Sequence, residues 1–198
     1  MRTERWEATL AGSGGQGIIS AGIILAEAAV LAGLNAVQTQ SYGPESRGGA
    51  SRAEVVLSEG EIDYPKTLSP DVLLALTAAA CEKYARRVES GGLLIVDDLV
   101  EPVPPGPYRV IRAPITRVAS EEFGRPIVAN IVALGVLAAA TDAVPLDALE
   151  RAVLARVPKG TEELNRAALR RGYDVGRHAA AAQAPANDSS RISTIGIP

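Results

Sequence analysis

Six residues, Gly12-Ser13-Gly14-Gly15-Gln16-Gly17, carry the clearest chemical signal in this chain of 198 residues. They separate a short apolar run ending in Ala8-Thr9-Leu10-Ala11 from a helical pattern that begins at Ile18-Ile19. Glycine tolerates positive φ and holds no Cβ against a neighbour, so such a turn is sharp and lets a ligand reach the backbone. The helix that follows begins with unpaired N–H groups and the positive end of a dipole, which suits an anion and most often a phosphate. Gly12, Gly14 and Gly17 match the spacing G-x-G-x-x-G of a dinucleotide fingerprint. That fingerprint also needs an acid about 20 residues on to grip a ribose hydroxyl. Here the place holds Gln38, Thr39 and Gln40, and Asp and Glu are absent from 28–44, which argues against an ordinary NAD site.

A second constellation is Ser41-Tyr42-Gly43-Pro44-Glu45-Ser46-Arg47-Gly48-Gly49. Arg47 offers a bidentate fork for phosphate or carboxylate, and Glu45 is placed to orient it. Gly48 and Gly49 would let the backbone donate as well. The two loops follow the first and second strands, expected as adjacent parallel neighbours, so they should face one another across a crevice. Asn130 is the lone polar residue of an apolar helix. Its amide is either satisfied by backbone groups in the core or turned toward the crevice, holding a ligand or ordering the second loop. Asp97-Asp98 end a strand and could reach the crevice, with a solvated turn as the plainer reading. Cys81 is expected as a small buried hydrophobe, and His178 as a surface residue without a role.

Composition narrows the chemistry. One cysteine and one histidine leave no thiolate set for an iron–sulfur cluster and no zinc constellation. No metal site and no catalytic residue is expected from this chain itself. A net charge of −3 supplies no basic footprint for nucleic acid. The polar start Arg2-Thr3-Glu4-Arg5 does not read as a secretory signal. The longest apolar stretch, 127–140, falls short of the roughly 20 residues a membrane span needs. A cytoplasmic protein is expected.

Elements that would position these residues alternate. Strands are expected at 6–11, 35–39, 53–58, 72–76, 93–96 and 108–111. Helices are expected at 16–32, 79–90, 115–123, 127–141, 146–157 and 161–182. The expectation is α/β, a Rossmann-like layered fold with a mostly parallel sheet and a helical C-terminal third. One domain covers 1–182, and the polar tail 183–198 lacks the periodicity to pack.

Taken with Val157-Pro158-Lys159-Gly160-Thr161-Glu162-Glu163-Leu164-Asn165, the two glycine-rich stretches resemble the gamma subunit of the 2-oxoacid:ferredoxin oxidoreductases, with Ser-Tyr-Gly-Pro-Glu before Arg-Gly-Gly pointing to the 2-oxoglutarate branch. The resemblance covers roughly 6–180. It implies a complex that oxidatively decarboxylates a 2-oxoacid, forms acyl-coenzyme A and passes electrons to ferredoxin. It implies thiamine diphosphate, Mg and iron–sulfur clusters on partner subunits of alpha, beta and delta type, with no cofactor held by this chain alone. The gamma subunit completes the site and helps bind coenzyme A. Carried over residue by residue, Gly12, Ser13, Gly14, Gly15, Gln16 and Gly17 form a phosphate-facing turn. Ser41, Tyr42, Gly43, Pro44, Glu45, Arg47, Gly48 and Gly49 form the opposing lip, and Asn130 joins them. Two other readings stay open: a free-standing nucleotide-binding oxidoreductase, and a purely structural assembly subunit.

Overall fold

The structure is a computed structural model that describes residues 5–41 and 50–183. The lip residues Tyr42, Gly43, Pro44, Glu45, Arg47, Gly48 and Gly49 lie outside the described residues, as does the tail from 184 onward. A six-stranded sheet runs in the order β2-β3-β1-β4-β5-β6, built from β1 (Arg5–Ser13), β2 (Asn35–Ser41), β3 (Ala50–Ser58), β4 (Val72–Ala75), β5 (Leu93–Asp97) and β6 (Arg109–Ala113). β1, β4, β5 and β6 are parallel, and β3 is antiparallel to both β1 and β2. Five strands therefore share one direction, as the α/β reading expects.

The expected adjacency of the first two strands is corrected: β3 lies between β1 and β2. The reason is the length of the connection. A parallel crossover needs a dozen or more residues, and the connection at 42–49 is shorter, so the chain returns antiparallel in the slot beside β1. The two glycine-rich loops still leave the same edge, because Ser13 pairs with Ala50 and Ser41 with Arg52. Their strands are two positions apart, roughly 10 Å.

Helices cover both faces unequally. On one face α1 (Ile18–Leu31), α4 (Ala129–Thr141), α5 (Leu146–Arg156) and α6 (Glu162–Ala182) enclose a continuous apolar core with Leu10, Val55, Leu74 and Ile95. The other face carries α2 (Ala78–Tyr84), which buries Ala80, Cys81 and Tyr84 against Leu73 and Val96. Cys81 is fully buried, and that burial pushes its thiol pKa up, as befits a core residue. The expected helix at 79–90 is shorter than its pattern: a 3₁₀ turn, Ala85–Arg87, replaces its end. The short helix α3 (Ile115–Arg117) passes into a π-helical turn, Val118–Glu122. α1 stops where Gly33 takes φ 84°, with Leu34 N–H donating to Ala29 O, a left-handed cap of the kind glycine favours.

α4 is buried on every side from Ala129 to Ala138, which explains its unbroken apolar composition. Its contact with α6 is backbone to backbone. A Cβ on Gly135 would lie 2.2 Å from Leu169 O, and one on Gly172 2.2 Å from Val132 O. Small residues thus set how closely α4 approaches α6, and α4 carries Asn130 at its first turn.

Candidate functional site

β1 runs on through Gly12 and Ser13, so the turn proper is Gly14 to Gly17. Gly15 and Gly17 take φ 87° and 70°, and Gly17 is the N-cap of α1. No side chain caps that helix, and its first turn holds no acid. Among the described residues, no side chain therefore meets the N–H groups and positive dipole end at this helix start. Ser13, Gly14 and Gly15 are exposed, and no heavy atom lies within 4 Å of a Cβ built on Gly15.

Two side chains hold the turn from behind. Gln16 Oε1 accepts the Ser13 N–H at 2.7 Å, while Gln16 N–H donates to Ser13 O at 3.3 Å. Its carboxamide folds over Gly12, where a Cβ would meet Oε1 at 2.5 Å. Gln16 is thus a brace for the turn. Asn130 is the second brace. It is 8% exposed, and its Nδ2 donates to Gly17 O at 3.3 Å, the carbonyl that also accepts Ala21 N–H at 2.9 Å. A Cβ on Gly17 would stand 2.5 Å from Asn130 Nδ2. The Asn130 amide is thus bonded to backbone, as one of its two readings expects, and the backbone it satisfies belongs to the glycine turn.

Gly17, Ser20 and Asn130 also line a groove of about 360 Å³ with Ile127, Val157 and Asn165. Ile127 is 64% exposed at its rim. The Val157-to-Asn165 stretch, distant in sequence, therefore stands beside the glycine turn. It is held there by its own bonds: Thr161 Oγ1 donates to Pro158 O at 2.7 Å, and the buried Asn165 Nδ2 donates to Thr161 O at 2.8 Å.

Where chain connections diverge to opposite faces, an open α/β sheet leaves a crevice at its carboxyl edge. Here β1 leads to α1 on one face and its parallel neighbour β4 to α2 on the other. The crevice next to the glycine turn is thus bounded by the β4–α2 turn. There Thr77 accepts the Ala80 N–H at 3.2 Å as the α2 cap. Asp97 does not reach it: 1% exposed, it accepts the N–H groups of Leu99 at 3.0 Å and Thr116 at 2.6 Å. Asp98 pairs with Arg117. His178 is exposed, its Nδ1 2.7 Å from Asp174 O.

Arg52 lies half-buried on β3, paired in register with Ala11 of β1 and Ser41 of β2, with its guanidinium over the Tyr84 ring. Among the described residues no cluster of three His, Cys, Asp or Glu could hold a metal ion. No helix among them is long and apolar enough to cross a membrane.

The sequence pattern described as pyruvate ferredoxin/flavodoxin oxidoreductase matches residues 7–175. The 2-oxoglutarate synthase subunit KorC of Methanocaldococcus jannaschii is 50% identical over 177 residues, spanning 87% of this chain and 95% of that protein. The crystal structure of a keto/oxoacid ferredoxin oxidoreductase gamma subunit from Geobacter sulfurreducens matches with a TM-score of 0.81 at 49% identity, over 88% of this chain and 99% of that one. The fold also recurs in the 2-oxoglutarate:ferredoxin oxidoreductase of Magnetococcus marinus, solved with 2-oxoglutarate, coenzyme A and succinyl-CoA bound. There the TM-score is 0.78 at 22% identity, over 89% of this chain and 32% of that one. By the extent of that pattern and the identity to relatives matched along nearly their whole length, the chain belongs to the pyruvate ferredoxin/flavodoxin oxidoreductase family.

Proposed function

We propose that this chain is the gamma-type subunit of a 2-oxoglutarate:ferredoxin oxidoreductase, working with alpha-, beta- and delta-type partners in the cytoplasm. It supplies no catalytic group. Its part is to complete the active site and to help bind coenzyme A at the turn from Gly12 to Gly17. The observation that carries this is the helix start itself: an exposed glycine turn, braced by Gln16 and Asn130, ahead of an α1 first turn without an acid. Such a terminus suits a phosphate-bearing ligand. The 2-oxoglutarate assignment draws on the half-identical KorC relative. The coenzyme draws on the Magnetococcus enzyme, which shares the fold.

The donor set here does not fit the redox groups. Cys81 is the one cysteine and is buried in the α2 core. We assign the iron–sulfur clusters to partner chains on that ground, and thiamine diphosphate, Mg and delivery of electrons to ferredoxin to the same partners on the family resemblance. The lip of Ser41, Tyr42, Gly43, Pro44, Glu45, Arg47, Gly48 and Gly49 is assigned to the same coenzyme site.

The test is reconstitution. The purified chain alone is expected to show no turnover. Added to its partner subunits, it restores ferredoxin reduction that depends on both 2-oxoglutarate and coenzyme A. Turnover by the isolated chain with NAD or NADP, or a partner complex indifferent to its addition, would overturn the reading.

A further inference from the structure

Between β3 and β4 the chain runs through 59–71 without helix or strand, a length at which a connection is commonly either functional or disordered. Here its later half is strapped to the protein by charged side chains. Glu7 Oε2 accepts the N–H groups of Leu68 at 2.7 Å and Ser69 at 3.2 Å. Glu54 Oε1 accepts Thr67 Oγ1–H at 2.5 Å. Arg5 donates to Tyr64 O at 2.9 Å and to Lys66 O at 3.0 Å, and Arg87 donates to Thr67 O at 3.2 Å. Both carboxylates are buried.

Burying two carboxylates is costly even when they are paired, and closing a loop of this length does not require it, since closure entropy grows slowly with length. What the bonds fix is the display of Leu68. Its backbone is tied to Glu7 while its side chain stands 67% exposed. A lone exposed leucine is ordinary. One whose backbone is locked in place has already lost the freedom that binding would otherwise remove, which suits it to anchor an interface. Around it the charge is positive. Arg87 reaches Thr67 O beside it, Lys66 and Arg86 are exposed close by in the chain, and the carboxylates that answer Arg5 and Arg87 are the two buried ones. Glu61 and Asp63 lie toward the other end of the connection, where Asn35 Nδ2 donates to Gly60 O, and Glu89 lines a groove with Trp6 and Asp71. A second copy of this chain would set basic side chains against their own kind across a two-fold axis. An acidic face is the complement.

We propose that the strap at 64–69 is a docking surface for another subunit of the oxidoreductase, in which Leu68 enters an apolar pocket whose rim is acidic. The proposal rests on the gamma-subunit reading given above. It names a contact near the amino ends of β1 and β4, at the edge of the sheet opposite the glycine turn.

The experiment follows association of the full chain with its partner subunits, purified without it, by surface plasmon resonance at low and high salt. Leu68→Ala should raise Kd about tenfold or more, as truncation of an anchor does. Lys66→Glu should slow association and weaken its salt dependence. Both side chains are exposed, so both variants should melt as the wild type does. At saturating subunit their KM for coenzyme A should be unchanged. Wild-type affinity in Leu68→Ala, or association that is unchanged or faster in Lys66→Glu, would overturn the proposal. So would self-association of the chain that Leu68→Ala abolishes, which would assign the strap to a second copy. If the partner subunits do not bind the wild-type chain at all, the gamma-subunit reading itself fails, and this proposal falls with it.

Discussion

At the scale of single residues, two side chains brace the glycine turn. Asn130 reaches across from α4 to Gly17 O, and Gln16 closes the turn onto Ser13. Asn130→Ala should therefore leave the Gly17 carbonyl with the Ala21 N–H alone and open a small void beside it. We expect a stability loss of about 1–2 kcal/mol, the cost of one buried bond, read as a lower melting temperature. Coenzyme KM should rise as the turn loosens. Gly17→Ala should be worse, since it forces φ 70° on an L residue and drives a Cβ to 2.5 Å from Asn130 Nδ2. Loss of about 1–3 kcal/mol follows from strain of that kind, measurable in urea. The glycines were legible in sequence because a glycine-rich turn between a strand and a helix has few purposes. The partnership of Gln16 and Asn130 was not, because it joins residues far apart in the chain through packing that periodicity does not record.

At the scale of elements, position came mostly from apolar patterning. The buried run Leu93-Leu94-Ile95-Val96 reads as a strand, and β5 is found at Leu93–Asp97. The apolar 127–141 run reads as a core helix, and α4 is buried through ten consecutive residues, from Ala129 to Ala138. Patterning does not encode strand order, however. That β3 inserts between β1 and β2 follows from the short 42–49 connection and from the pairing of β3 with both neighbours. The loop geometry drawn from adjacent strands was off by one strand for that reason. Nor does patterning encode how near two helices come. Gly172→Ala would place a Cβ 2.2 Å from Val132 O in α4, and backbone cannot yield as a side chain can. Overpacking of this sort costs about 1–3 kcal/mol, or roughly 2–4 °C per kcal/mol for a chain of this size. Because α4 carries Asn130, the same change should also raise the coenzyme KM of the complex. A mutant that melts lower with an unaltered coenzyme KM would separate α4 packing from the site.

At the scale of the whole molecule, ion pairs tie the helical layer together. Glu27 pairs with Arg156 across α1 and α5, and Glu122 with Arg171 across the π turn and α6. Their arginine hydrogen bonds hold both carboxyls below the usual range. For Glu150, burial works upward, but its bonds to Arg170 and Arg166 prevail and its pKa is also lowered. A lowered folded pKa stabilises above the unfolded value of about 4.3, and that stability is lost as pH falls through the folded value. Asp71 acts in the opposite sense, since burial raises its pKa and acidification relieves it. With three lowered carboxylates against one raised among the described residues, the melting temperature should drop by a few degrees as pH falls below about 4. The drop should shrink in high salt, because the Glu27–Arg156 and Glu122–Arg171 pairs stand exposed to solvent.

The most direct test of the account uses Ser20, which is exposed in the first turn of α1 and lines the groove beside Gly17. An acid there favours the helix, because it meets the positive end of the dipole, yet it repels a phosphate at the same terminus. For the reconstituted complex carrying Ser20→Glu, the account predicts an undiminished melting temperature and an unchanged KM for 2-oxoglutarate. It predicts a KM for coenzyme A raised about tenfold, or about 1.4 kcal/mol of lost binding. A coenzyme KM equal to that of wild type would contradict it.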